Sequence, residues 1–242
     1  DVWAEEFRIP YEQIPLDENF CIVPEQYFAE NHPNGGIVFP NPNAPTGVEL
    51  SLSAIESILQ NNPDVVVIVD EAYVDFGAAT AQPLLEKYDN LVITHTFSKT
   101  HNLAGARLGY CIARPELIAD MNRVKFSYSP YNVNSMTQAA GTAAIRDEAY
   151  FRDITAKLLA TRADTTEKLC QRGFTVFDSA TNFLFATTDR MPCREIFEKL
   201  RAQGILIRHF NAPRISNYLR ITIGTDAEMQ RFFTVLDEIL AY

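Results

Sequence analysis

The chain has 242 residues with 31 acidic and 21 basic side chains, so its net charge is −10. This length fits one large α/β body or a large body joined to a small one. The acidic balance argues against nucleic acid as a partner, because a phosphate backbone attracts basic surfaces. The longest apolar run, Val65 to Val69, is far shorter than the roughly 20 residues that cross a bilayer. No membrane span is therefore predicted.

Alternating strand and helix patterns fill the first part of the chain. Short apolar runs predict buried strands at residues 36–39, 65–69, 91–93 and 108–113. Apolar residues at helical spacing predict helices at residues 51–60 and 115–126. This alternation favours βαβ units. We therefore predict an α/β fold with a mostly parallel sheet and helices on both of its faces.

The pattern changes after a long predicted helix at residues 147–172. Strands are predicted at residues 174–177, 182–186, 205–209 and 218–223. Further helices are predicted at residues 192–203 and 226–240. This order favours a smaller α+β domain. The predicted division is a large domain at residues 1–150 and a small C-terminal domain, which includes the connecting helix, at residues 151–242.

Polar side chains follow two of the predicted parallel strands. Asn43 lies in the turn Asn41–Gly47, and Asp70 ends the second apolar run. Open parallel sheets bind ligands outside the carboxyl ends of their strands. Each residue alone also fits a structural role, Asn43 in a stiff turn and Asp70 as a helix cap. Their succession is what indicates a site at one edge of the sheet.

Lys99 follows the next strand, and its neighbours add hydroxyl groups and positive charge. Thr96 and Ser98 precede it, and Arg107 comes shortly after it. Two hydroxyls and a guanidinium suit the binding of a phosphate group. A partly desolvated amine near another cation is the environment that a Schiff-base lysine requires. The alternative is an ordinary loop lysine beside a structural arginine.

Five motifs together give the chain a specific resemblance. They lie at residues 42–47 (PNAPTG), 70–76 (DEAYVDF), 96–99 (TFSK), 103–110 (LAGARLGY) and 219–225 (LRITIGT). In these motifs the chain resembles the fold-type I pyridoxal-phosphate aminotransferases of class I/II. Within that family it is most similar to the histidinol-phosphate aminotransferases.

The resemblance implies roles for the side chains at the strand ends. Lys99 would bind the cofactor, pyridoxal 5′-phosphate, as a Schiff base and then move a proton between the substrate Cα and the cofactor. Asp70 would pair with the pyridinium nitrogen, and Tyr73 would hydrogen-bond the phenolic oxygen. The cofactor phosphate would be held by Thr96, Ser98 and Arg107.

The chain departs from the family pattern at the turn. The family asparagine that contacts the phenolic oxygen stands immediately before PTG, where this chain has Ala44. Either Asn43 makes that contact through a shifted backbone, or Tyr73 makes it alone. Asn43 is assigned to the cofactor site on the first of these readings.

Two arginines match residues with which the family binds anionic substrates. Arg220 matches the arginine that binds the carboxylate of glutamate or the phosphate of histidinol phosphate. Arg208 matches an arginine that supports phosphate binding, and its alternative is a surface charge beside a strand. Guanidinium groups suit the bidentate recognition of both anions.

The histidines and cysteines carry no metal-binding or disulfide pattern. The chain has four of each. The histidines lack a motif such as His-Glu-x-x-His, and the cysteines are too widely spaced for a zinc site or a dense disulfide framework. No metal is expected, and a reducing cytoplasm is the expected location.

The resemblance implies an enzyme of histidine biosynthesis. It would transfer an amino group between glutamate/2-oxoglutarate and histidinol phosphate/imidazole acetol phosphate, and it would form a homodimer. An aromatic amino-acid aminotransferase or a phosphothreonine-type decarboxylase would use the same cofactor residues. A non-catalytic binding protein with this fold is a further alternative.

Residues 1–20 match a segment well inside the family's large domain. The expectation is therefore that the chain is a fragment or an incomplete record of a longer enzyme, with the N-terminal part of the large domain missing. On this expectation the 242 residues alone would bind the cofactor weakly and be inactive, because part of the phosphate site would be absent.

Overall fold

The computed structural model of the protein describes residues 2–241, apart from the side chain of Trp3. The helices are α1 (Val2–Glu6), α2 (Leu52–Gln60), α3 (Pro115–Tyr128), α4 (Ser135–Arg146), α5 (Glu148–Gln171), α6 (Cys193–Ala202) and α7 (Asp226–Leu240). The strands are β1 (Ile37–Pro40), β2 (Val67–Asp70), β3 (Leu91–Thr96), β4 (Gly109–Ala113), β5 (Phe174–Val176), β6 (Phe183–Thr188), β7 (Arg208–His209) and β8 (Leu219–Thr222). They form two four-stranded sheets.

The first sheet has the order β1-β2-β3-β4. Its first three strands are parallel, and β4 is antiparallel to β3. The prediction of a mostly parallel sheet in an α/β fold is confirmed. The register places Asp70 between Pro40 and Thr94. The segments that follow β1, β2 and β3 therefore start at the same edge of the sheet.

The core of the first sheet is aliphatic. Helix α2 buries Ile55, Ile58 and Leu59 against the strands, where Val67 and Val69 have no exposed surface. These apolar residues recur at helical spacing in α2 and alternate in β2, so one face of each element is apolar. The hydrophobic effect that packs these faces together fixes the strands whose ends carry the polar residues.

The second sheet is antiparallel, with the order β5-β6-β8-β7. Helices α5, α6 and α7 cover one of its faces, and Leu184, Leu219 and Ile221 point into that core. Side chains alternate between the faces of a strand, so the residues between them point the other way. Strand β7 is shorter than the predicted strand at residues 205–209. Along the chain, the strands of the first sheet come before residue 150 and those of the second sheet come after it. The domain boundary at residue 150 stays a prediction.

Helix α4 was not predicted from the sequence. Of its residues, SMTQAAGTAAIR, one is buried, Gly141, and the side chains at helical spacing are mostly small alanines. The Asn134 side chain caps the helix by accepting a hydrogen bond of 2.9 Å from the Thr137 backbone N–H. The available signals were this cap and the alanines, which favour helices without an amphipathic pattern.

Within residues 2–241, no helix is long and apolar enough to cross a membrane. The four cysteines Cys21, Cys111, Cys170 and Cys193 are free thiols.

Phe20 anchors the N-terminal segment to the second sheet. Its ring is 6% exposed and makes edge-to-face contacts with Phe177, Phe185 and Tyr218 at centroid distances of 5.3, 5.6 and 5.4 Å. Arg214 holds the same segment, since its guanidinium donates hydrogen bonds to the backbone carbonyls of residues 16 and 17. The segment before β1 is therefore part of the core around β6.

Replacing Phe20 by Ala removes a buried ring from this cluster. We expect Phe20→Ala to lower the free energy of unfolding by about 3–5 kcal/mol, the usual cost of a large aromatic truncation in a core. Urea unfolding measures the change. The control is Leu206→Ala, because Leu206 is 79% exposed and its loss should change the free energy by less than about 0.5 kcal/mol. Equal losses in both variants would contradict the anchoring role.

Candidate active site

Asp70 closes β2 at the shared edge of the first sheet. Its Oδ1 accepts a hydrogen bond of 3.1 Å from the Ala72 backbone N–H, and its backbone carbonyl accepts one of 2.9 Å from Asn41. The carboxylate is partly buried. One carboxylate oxygen is thus engaged by the loop, and the group sits at the strand end where parallel sheets bind ligands.

The next residue, Glu71, has a different role. Its carboxylate is buried and accepts hydrogen bonds from the Thr80 hydroxyl at 2.7 Å and the Ala81 backbone N–H at 2.6 Å. His95 Nε2 lies 3.1 Å from it. Glu71 therefore holds the loop after β2 in place. His95 has a structural contact, because its ring packs against this buried carboxylate. Among the described residues, no group of three or more His, Cys, Asp or Glu is arranged to hold a metal ion.

The turn after β1 is stiffened by its own side chains. The Asn41 side chain is buried and makes two hydrogen bonds to the backbone of Leu50, at 2.7 and 3.1 Å. Asn43 Oδ1 accepts a hydrogen bond of 2.9 Å from the Thr46 hydroxyl. Within residues 2–241 the Asn43 Nδ2 group donates no hydrogen bond. Asn43 therefore supports the turn through its oxygen and keeps a donor for a ligand.

Glycine is required where this turn meets the second sheet. Gly47 has φ = +82°, and a Cβ there would lie 2.6 Å from the Ser179 hydroxyl. The Gly47 carbonyl also accepts a hydrogen bond of 2.9 Å from Ala180. Glycine adopts this conformation without strain and leaves room for the close approach.

Lys99 lies over an aromatic ring from the loop after β2. Its Nζ is 4.9 Å from the centroid of the Tyr73 ring. The two loops are tied together by the Thr100 hydroxyl, which donates a hydrogen bond of 2.7 Å to Asp75. The aromatic face attracts the ammonium group, so the contact positions the amine beside the Tyr73 side chain.

Thr96 and Ser98 form a compact pair of hydroxyls before the lysine. Their oxygens are 2.9 Å apart, and the Ser98 backbone N–H donates to the Thr96 hydroxyl at 3.0 Å. Arg107 is in the left-handed region, with φ = 52°, and donates a hydrogen bond of 3.1 Å to the Ala104 carbonyl. No carboxylate of the described residues pairs with this guanidinium. Two hydroxyls and an unpaired cation are the chemistry that a phosphate group requires.

Arg208 and Arg220 are direct neighbours across β7 and β8. Arg220 is partly buried, and its Nε has no hydrogen-bond partner in the described structure. Burial lowers the pKa of Arg220; Tyr73 opposes this shift and Arg208 adds to it. Two adjacent guanidinium groups, one with an unsatisfied buried N–H, are stabilised by an anion that accepts hydrogen bonds from both.

Phe183 connects the two parts of the site, and sequence reasoning missed it. Its ring packs edge-to-face on the Tyr73 ring at 5.3 Å, and the Arg220 guanidinium lies 4.9 Å from its centroid. The carbonyl of the adjacent Asn182 accepts a hydrogen bond of 2.9 Å from the Ile223 backbone N–H within the second sheet. Alternation within β6 could have indicated that Phe183 faces away from the helical core.

The Lys99 amine and the Arg208/Arg220 pair thus belong to one continuous arrangement. Lys99 contacts Tyr73, Tyr73 contacts Phe183, and Phe183 contacts Arg220. An amine and a carboxylate at the edge of a parallel sheet, linked through aromatic rings to paired arginines on a second sheet, are groups that an amino-group transferase would need for its cofactor and an anionic substrate. The chain belongs to the aminotransferase class I and II family, whose model matches residues 13–236.

Within this family the chain has a more specific similarity to histidinol-phosphate aminotransferases. The chain is 46% identical to the histidinol-phosphate aminotransferase of Lactococcus lactis subsp. cremoris, in an alignment that covers 99% of this chain and 66% of that protein. It therefore spans just under two thirds of the length of this relative.

Solved structures share the fold. The histidinol-phosphate aminotransferase from Clostridium acetobutylicum superposes with a TM-score of 0.91 at 22% identity, over 99% of this chain and 74% of that one. The enzyme from Sinorhizobium meliloti, in complex with pyridoxal-5′-phosphate, has a TM-score of 0.79 at 26% identity, over 88% of this chain and 59% of that one.

Proposed function

We propose that the protein containing this chain is a pyridoxal-phosphate-dependent aminotransferase of histidine biosynthesis. It transfers an amino group between glutamate/2-oxoglutarate and histidinol phosphate/imidazole acetol phosphate. The observation that carries the proposal is the arrangement in which Lys99 is linked through two aromatic rings to the anion-binding pair Arg208 and Arg220. The activity named for the Lactococcus lactis relative supports the substrate assignment.

The side chains at the sheet edge fit the cofactor. Its phosphate group matches the hydroxyls of Thr96 and Ser98, which are 2.9 Å apart, and the unpaired guanidinium of Arg107. The ring nitrogen matches the Asp70 carboxylate, and the phenolic oxygen matches donors from Tyr73 and the free Nδ2 group of Asn43. The cofactor bound in the Sinorhizobium meliloti enzyme supports this fit.

When bound, pyridoxal phosphate supplies an electron sink for the charge that develops on the substrate carbon. The chain's own residues supply the rest of the mechanism. Lys99 would hold the cofactor through Nζ, and its amine, once free, would accept the proton from the substrate Cα. Asp70 would keep the ring nitrogen protonated, because a carboxylate close to that nitrogen favours its charged form. Tyr73 would orient both the amine and the ring oxygen.

The paired arginines select the substrate. A phosphate has three oxygens and can accept hydrogen bonds from Arg208 and Arg220 together, whereas a carboxylate is satisfied by one guanidinium. The Nε of Arg220 has no partner in the described structure, and as a buried donor it costs free energy until a ligand accepts its hydrogen bond. We therefore assign Arg220 to every anionic substrate and Arg208 to the phosphate.

The lysine is tested by Lys99→Ala in the complete enzyme. We expect the variant to lose transamination by roughly 10⁴-fold or more and to lose the visible absorbance of the lysine-bound cofactor. The matched control is Lys87→Ala, since Lys87 is a surface lysine that pairs with Glu56 at 3.1 Å. Retained activity in Lys99→Ala would disprove the mechanism. If the wild-type protein shows the cofactor absorbance but no half-reaction with glutamate, it is a binding protein instead.

The arginines are tested by their substrate profiles. We expect Arg220→Ala to raise KM about 10- to 100-fold for both histidinol phosphate and glutamate, because each loses a charge-assisted hydrogen bond. Arg208→Ala should raise KM chiefly for histidinol phosphate. An equal effect of Arg208→Ala on both substrates would remove its phosphate role. Faster turnover of phenylalanine than of histidinol phosphate would contradict the proposed substrate assignment and favour an aromatic amino-acid aminotransferase. Release of carbon dioxide would favour a decarboxylase.

We also propose that the enzyme is a cytoplasmic homodimer. The family resemblance supports the dimer, and so do large apolar side chains exposed on and after α3: Val124, Phe126, Tyr128 and Tyr131. The free thiols of the four cysteines fit a reducing compartment. Light scattering after gel filtration of the complete protein should give twice the mass of one chain, and a monomer mass at micromolar concentration would rule the dimer out.

A further inference from the structure

Arg162, on the long helix α5, connects the two halves of the site, and none of the described carboxylates pairs with it. Its Nη1 donates hydrogen bonds to two backbone carbonyls, that of Phe76 at 2.8 Å and that of Thr181 at 2.7 Å. Phe76 belongs to the loop after β2, and Thr181 precedes β6. Burial lowers the pKa of the guanidinium. A partly buried cation whose hydrogen-bond partners in the described structure are neutral carbonyls has a positional rather than an ion-pairing role.

Both carbonyls are close to the aromatic rings of the site. Phe76 is three residues after Tyr73, and their ring centroids are 6.5 Å apart. Thr181 has no exposed surface, and its hydroxyl donates a hydrogen bond of 3.0 Å to the Phe183 carbonyl. A shift of either carbonyl is therefore transmitted over a few bonds to Tyr73 or Phe183.

Gly77 lies directly beside the guanidinium. Gly77 has φ = +113°, and a Cβ built there would lie 3.7 Å from Arg162 Nη2. The loop thus bends in a conformation that favours glycine directly beside the arginine. The planar guanidinium presents its N–H groups in a fixed direction, so both carbonyl contacts are defined geometrically.

We propose that Arg162 is a positioning residue that sets the separation between the Lys99 amine and the Arg220 guanidinium. It does so by joining the backbone that carries Tyr73 to the backbone that carries Phe183. This separation determines how well the enzyme distinguishes a substrate with an anionic group from the same amine without one. The proposal rests on the proposed aminotransferase function and adds a determinant of its specificity.

The test compares substrates that differ only in the anion. Arg162→Gln, Arg162→Lys and wild type are assayed as complete holoenzymes with histidinol phosphate and with histidinol, which lacks the phosphate. We expect Arg162→Gln to lower kcat/KM for histidinol phosphate roughly 10- to 100-fold, mainly through KM, the scale at which small misplacements act. Turnover of histidinol should fall far less than that of histidinol phosphate, and the cofactor absorbance should be retained. Arg162→Lys, which keeps a donor and the charge, should recover part of the loss.

Arg172→Gln is the matched control. Arg172 directly follows the same helix and pairs with Asp237 of α7 through hydrogen bonds of 2.6 and 2.7 Å, within the second half of the chain. We expect this variant to lower the thermal midpoint without changing the ratio of kcat/KM for the two substrates. In addition, inorganic phosphate should raise the thermal midpoint of the wild-type holoenzyme more than that of Arg162→Gln.

Equal losses with both substrates, or the same change of ratio in Arg172→Gln, would overturn the proposal and reduce Arg162 to a stabilising residue. Failure of the proposed function gives a different result. If wild type prefers phenylalanine to histidinol phosphate, the substrate assignment fails, and the ratio for phenylalanine over phenylalaninol tests Arg162 in the same way. An unchanged ratio for that pair in Arg162→Gln would also overturn the proposal.

Discussion

The contact between Phe183 and Tyr73 is the interaction on which the site depends. The edge of one ring meets the other at 5.3 Å, and each ring also carries a cationic side chain, Lys99 on Tyr73 and Arg220 on Phe183. Aromatic rings are rigid and large, so they hold cations at a defined distance without neutralising them. An acidic partner in the same place would pair with the amine or the guanidinium and compete with a ligand.

The register of the first sheet places the remaining groups around this contact. Parallel pairing sets Asp70 level with Pro40 and Thr94, so the turn, the carboxylate and the lysine loop begin at one edge. Antiparallel pairing in the second sheet sets Arg220 beside Arg208. The apolar cores that fix both registers therefore also fix where these polar side chains point, because a one-residue slip would turn each strand's side chains to the opposite face.

Periodicity predicted most elements because their faces are buried. Helix α2 and strands β1 to β3 match the predicted runs closely, and α5 begins and ends within one residue of the predicted bounds 147–172. The failures occur where burial is weak. Helix α4 buries one residue and was missed, and β7 pairs over only two residues where five were predicted. A short edge strand carries too little alternation to define its ends.

The sequence by itself determined the class of fold, the polar groups at the strand ends and the family, because these depend on local pattern and on motifs. The order of the strand ends predicted Asp70 and Lys99 at one edge of the sheet, and the resemblance added Arg220. Only the tertiary structure decided that Phe183 joins Tyr73 to Arg220 and that Arg162 bridges Phe76 to Thr181. Those contacts link residues far apart in the chain through backbone carbonyls and ring faces, and neither leaves a signal in residue type or spacing.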